Sequence, residues 1–131
     1  MEAEKLAEIA VSALEDIKAR DITVIDVSLL TSLFDRMIIA SADSTRQTKA
    51  LANNVQVEIK AAGGTVQSIE GEQSGEWVLV DCGSVVIHIM QPAVRQYYNL
   101  EELWGARPPM PVRHGAEKGK IAAEFAAPTS P

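Results

Sequence analysis

The stretch Trp77-Val78-Leu79-Val80-Asp81-Cys82-Gly83-Ser84-Val85-Val86-Ile87-His88-Ile89-Met90 decides the fold. Two runs rich in β-branched residues flank a Cys-Gly step, which is the pattern of a β-hairpin. With Cys82-Gly83 as a two-residue turn, Asp81 faces Ser84, Leu79 faces Val86 and Trp77 faces His88. Side chains change face at every residue of a strand. Val78, Val80, Val85 and Ile87 therefore gather on one aliphatic side, which reads as core. Trp77, Leu79, Asp81, Ser84, Val86 and His88 gather on the other, a mixed side suited to recognition. A longer loop of the same parity preserves this sorting, whereas a bulge breaks it. Alternatively Trp77 is itself core and both faces are covered. Two main helices are too few to cover both faces of a five-stranded sheet, which favours exposure.

Working outward, Thr65–Ile69 reads as a short strand before the hairpin, and Ile22–Val27 and Met37–Ala40 as two more. Leu29–Leu33 is an apolar connection between the latter two. Leu6, Ile9, Ala10, Ala13, Leu14 and Ile17 recur at helical spacing and form one stripe, with Lys18 and Arg20 near its end to complement exposed carbonyls. Ser44 begins a second helix, with Gln47 three residues on as a capping box and Leu51, Ala52, Val55 and Ile59 as its buried stripe. Gly63-Gly64 stops it. Pro92 opens a short helix toward Tyr98, and Leu100–Trp104 closes the domain. The order helix, strand, strand, helix, three strands predicts an α/β layered domain over 1–104. Its five-stranded sheet is mixed, with one parallel crossover. From 105 to 131, prolines, glycines and alanines replace any periodic pattern, and a flexible tail is expected.

The charge is unevenly divided. Residues 1–104 hold 8 Lys or Arg against 16 Asp or Glu, and residues 105–131 hold 4 against 2. An acidic body repels phosphate backbones, so DNA is not an expected partner, and a basic protein partner is compatible. A single cysteine, Cys82, allows no intramolecular disulfide and fits a reducing compartment. The acidic, amphipathic start is not that of a secretory signal, and no apolar run is long enough to span a bilayer. A cytoplasmic protein without membrane association is expected.

Catalytic patterns are sparse. The histidines, His88 and His114, have no metal-ligand spacing around them, Ser41 and Ser44 lack a nucleophile-elbow context, and Cys82 has no cation near it in sequence. Gly63-Gly64 is not part of a phosphate-binding motif. One enzymatic alternative has more substance: Glu70, Glu72 and Asp81 could hold metal ions, as in a nucleotidyltransferase. However, Gly71 and Gln73-Ser74-Gly75 suggest a solvated turn, and no phosphate-gripping element accompanies them. No catalytic role, cofactor or metal is expected.

Several ordered blocks resemble the ribosomal silencing factor, or Iojap-related, family. They are Asp35-Arg36-Met37-Ile38-Ile39-Ala40-Ser41 with Ser44-x-Arg46-Gln47, Glu70-Gly71, Trp77-Val78-Leu79-Val80-Asp81-Cys82-Gly83, Val86-Ile87-His88-Ile89-Met90, and Arg95-x-x-Tyr98-x-Leu100-Glu101-x-Leu103-Trp104. Ala42-Asp43-Ser44 departs from the family's frequent Gly-Thr-Ser, and Ser84 from its frequent acidic residue. The resemblance implies a nucleotidyltransferase-like fold without a recognised activity. It also implies a factor that binds the large ribosomal subunit at protein uL14, blocks subunit joining and represses translation when nutrients are scarce. Some members of the family are homodimers. On this reading Trp77, Leu79, Val86, His88 and Tyr98 contact the partner, and Glu70, Asp81 and Glu101 supply acidic complementarity.

Overall fold

The computed structural model describes residues 1–105. Its elements are α1 (Ala3–Asp16), β1 (Arg20–Asp26), β2 (Arg36–Ser41), α2 (Thr45–Ala61), β3 (Ser68–Glu70), β4 (Trp77–Asp81), β5 (Val85–Met90), α3 (Pro92–Tyr98) and α4 (Leu100–Leu103). Apart from Gly105, the segment read as a tail lies outside the described residues. Among the described residues, no helix is long and apolar enough to cross a membrane.

The five strands lie in the order β1-β2-β5-β4-β3. Only β2 and β5 run parallel, and every other neighbouring pair is antiparallel. The single predicted crossover is thus the connection from β2 to β5, which carries α2, β3 and β4 with it. Strand β5 is central although it is the last of the described strands in sequence, so it is flanked on both sides and buried along its whole length.

Helices α1 and α2 pack on one face of this sheet. Leu6, Ala10, Ala13 and Leu14 of α1 and Leu51, Ala52, Val55 and Ile59 of α2 meet Ile38, Ala40, Val78, Val80, Ile87 and Ile89. The small side chains of α1 let the two helices approach closely over the aliphatic face, where dispersion and area burial act together. Helix α2 starts as its sequence predicts, with Ser44 Oγ accepting from the Gln47 amide at 3.1 Å. Gln47 Oε1 reaches back to the Asp43 amide at 2.8 Å, one residue before the N-cap, and its Nε2 donates to the carbonyl of Lys18 at 3.1 Å. One side chain therefore caps α2 and fixes the end of α1. Gly63 leaves α2 with φ of +93°, and a Cβ on Gly64 would lie 2.8 Å from the Ile59 Cγ2, so both glycines are needed there.

Helix α1 ends at Asp16, earlier than its stripe suggests, because Lys18 turns left-handed at φ +65°. Lys18 and Arg20 lie beyond it and do not offset its terminal carbonyls. Arg20 pairs with Asp43 instead. Strand β3 is shorter and later than Thr65–Ile69, since the pairing with β4 begins only at the Gln67 amide, 2.7 Å from the Asp81 carbonyl.

Candidate functional site

The hairpin register differs from the predicted one by two residues. The Cys82 amide bonds to the Val85 carbonyl at 2.9 Å, so Gly83-Ser84 is the turn and Asp81 stands opposite Val86. Leu79 faces His88 and Trp77 faces Met90. The reason is conformational: the turn needs a positive φ at its first central residue, and Gly83 supplies it at +85°. A shift of two preserves parity, so the two faces hold the residues that alternation assigned to them.

The expectation that the mixed face lies open is corrected. Ile25, Val27, Phe34, Met37, Ile39, Trp77, Leu79, Val86, Met90, Leu100 and Trp104 form a second buried core on that side. Its roof is made of the segment between β1 and β2 together with α3 and α4. The rings of Phe34 and Trp104 lie 5.5 Å apart within it. Short helices and a loop suffice to cover this face because Phe34, Leu100 and Trp104 are large enough to bury Trp77, which carries about 150–250 Å² of mostly apolar surface. At about 25 cal/mol per Å², that burial is worth about 4–6 kcal/mol.

Of the residues assigned to partner contact, Leu79, Val86 and His88 are buried, and Trp77 is 7% exposed. Glu101 is buried too, in a bidentate pair with Arg95: Nε donates to Oε1 at 3.1 Å and Nη2 to Oε2 at 2.8 Å. Arg95 also donates to Ser41 Oγ and Thr23 Oγ1, at 2.8 and 3.1 Å. It bolts α3 to β1, β2 and α4, so Glu101 is internal bracing in place of surface charge. Glu70, Asp81 and Tyr98 remain partly accessible at the margin of the second core.

An aromatic series leads from this margin inward. Tyr97 is 51% exposed and meets Tyr98 edge-on at 4.9 Å. Tyr98 lies 4.9 Å from Trp77, and Trp77 lies 5.8 Å from His88. The Trp77 indole Nε1 donates to His88 Nδ1 at 2.9 Å. An accepting Nδ1 places the imidazole proton on Nε2 and keeps the ring neutral, and burial agrees, pushing its pKa down to about 3. Tyr97 carries no signal in a partner motif, and the sequence reading missed it. Its exposure depends on which face of a seven-residue helix turns outward, and α3 has no buried residue to mark its inner face.

Glu70 ends β3, Gly71 has φ of +88°, and Glu72 lies within the turn closed by the Gly75 amide on the Gly71 carbonyl at 3.1 Å. Asp81 Oδ1 is engaged by the Gly83 amide at 2.8 Å. Among the described residues, no three His, Cys, Asp or Glu side chains are grouped as a metal site. The Cys82 thiol is pushed up to about 11 by burial and, secondarily, by the charge of Asp81, which leaves it unreactive near neutrality.

The chain matches the model of the family described as "Ribosomal silencing factor during starvation" over residues 1–130. It is 58% identical over 109 residues to Ribosomal silencing factor RsfS of Chromobacterium violaceum, covering 83% of this chain and 89% of that one. It is 35% identical over 104 residues to the chloroplastic protein Iojap of Zea mays, covering 75% of this chain and 42% of that one. A crystal structure of a Chromobacterium violaceum protein superposes with a TM-score of 0.80 at 55% identity, covering 89% of this chain and 98% of that one.

Proposed function

The chain belongs to the ribosomal silencing factor family, and from this premise we propose that it binds the large ribosomal subunit through protein uL14 and blocks joining of the small subunit. Such a factor acts by steric occupation, represses translation under nutrient limitation and works in the cytoplasm. The observation that carries the reading is the family match across residues 1–130. We assign the contact to the accessible margin of the second core. Tyr97 and Tyr98 offer aromatic anchors, and Glu70 and Asp81 offer negative charge at the accessible margin of the same face. Aromatic anchors ringed by complementary charge are the usual makings of a specific interface. Trp77, Leu79, Val86 and His88 support that surface from beneath.

Co-sedimentation with purified large subunits tests the binding, and light scattering on mixing the two subunits tests the block. The factor should pellet with large subunits at moderate salt and lower the scattering amplitude. A protein that stays in the supernatant overturns the proposal. Where the free protein is a homodimer built on this surface, dilution should increase the bound fraction.

A further inference from the structure

Strand β1 forms the edge of the sheet farthest from β3. The Val27 amide bonds to Asp35 across to β2, so by antiparallel alternation the amides and carbonyls of Val24 and Asp26 face away from the sheet. A register irregularity between Arg20 and Thr23, with Asp21 at φ +51°, ends this free edge on its N-terminal side. Beside the edge runs a cleft of about 410 Å³ between α1 and the sheet. Glu4, Glu8 and Glu15 line its helical wall, Val11 and Val24 supply apolar surface, and among the described residues Arg36 is its one cation. Arg36 is already paired with Asp26 at 3.3 Å, which leaves the wall's negative charge unbalanced. Val24, at the centre of this edge, is 48% exposed although it is apolar.

We propose that the β1 edge and its acidic cleft form a second docking surface, which takes an extended lysine- or arginine-bearing segment of a protein partner by strand addition. Main-chain bonds to Val24 and Asp26 would supply affinity. Alternate side chains of the segment would enter the cleft, cations toward Glu4, Glu8 and Glu15 and apolar groups toward Val11 and Val24. Charge complementarity decides the class of occupant, because an acidic or neutral strand would leave three carboxylates facing an unfavourable neighbour. This surface lies at the opposite end of the sheet from Glu70 and Asp81, and its cleft opens on the α1 side of β1, across the sheet from the second core.

The test uses the isotopically labelled full chain titrated with a short peptide of alternating lysine and valine, followed by amide NMR. The Val24 and Asp26 amides should shift saturably, and Glu8→Lys with Glu15→Lys should weaken binding by about tenfold or more. Val24→Pro should abolish binding while the β2 and β5 amides keep their positions, since its amide takes no part in the β1–β2 ladder. An alternating glutamate and valine peptide should not bind. Shifts confined to other surfaces, or undiminished binding to a folded Val24→Pro chain, overturn the proposal. Concentration-dependent shifts of the same amides without peptide would assign the edge to a second copy and equally overturn it.

Discussion

Trp77 and His88 are diagonal neighbours on adjacent strands, and the indole N–H of the first donates to Nδ1 of the second at 2.9 Å. The bond satisfies the only polar atom of a tryptophan packed among aliphatic and aromatic neighbours. It makes the pair part of the second core. Trp77→Ala should therefore destabilise the domain by about 3–5 kcal/mol in urea unfolding. A loss of under about 1 kcal/mol would return Trp77 to the role of a surface contact.

The same pair predicts a pH dependence. His88 titrates near 6.5 in the unfolded chain and near 3 in the folded one. Between those values the unfolded chain binds the extra proton, so stability is complete above about pH 6.5 and declines as pH falls toward 3. The slope should approach but not exceed about 1.4 kcal/mol per pH unit. Asp26 and Asp43 are held below the ordinary carboxylate range by hydrogen bonds from Ser28 and Arg20 respectively, and they lose stability in the same direction only at lower pH. Urea unfolding from pH 7 to 4.5 thus isolates His88. His88→Gln should flatten the slope there, and an unchanged slope would contradict the assignment.

Glu101 is buried, Arg95 keeps 11% of its side chain exposed, and each is oriented by the other. Removing one partner strands a charge, which costs about 3–5 kcal/mol. Arg95→Lys cannot reproduce the two-pronged contact and should also destabilise. Thermal unfolding of Arg95→Ala, Glu101→Ala and the double variant checks this. The double variant should recover part of the loss, because no unpaired charge remains.

Tyr97 separates stability from binding. Its ring is half exposed and rests on Tyr98. Tyr97→Ala should leave the unfolding midpoint nearly unchanged and weaken co-sedimentation with large subunits by about tenfold or more, as for an aromatic anchor. Undiminished sedimentation would move the contact surface away from α3.

Cys82 offers a probe of opening. Its thiol is buried and its pKa raised to about 11. Alkylation at neutral pH should be slow in the native protein and fast in denaturant. Rapid native alkylation would mean that the β4–β5 turn opens readily.

Alternation made the sorting of the hairpin legible, because it depends only on parity and survived a wrong turn assignment. The capping of α2 was legible too, since Ser44 and Gln47 act over three residues. The burial of the mixed face was not. It depends on Phe34 and Trp104 meeting across 69 intervening positions of sequence, which no local pattern encodes. Glu101 was misread for a related reason, as its partner Arg95 sits on another helix and the pair becomes internal only when α3 and α4 fold over the sheet.

The place of β5 has a consequence for biosynthesis. Of the described strands it is the last made, and it joins β2 to β4. Until Met90 has left the ribosomal tunnel, β2 has one unpaired edge and the antiparallel halves of the sheet have no seam between them. Long-range parallel pairing is the slow kind, so the nascent chain must carry an open apolar strand until its final sheet residue emerges. Synthesis order, and not only sequence, sets when this protein can begin to hide its own interior.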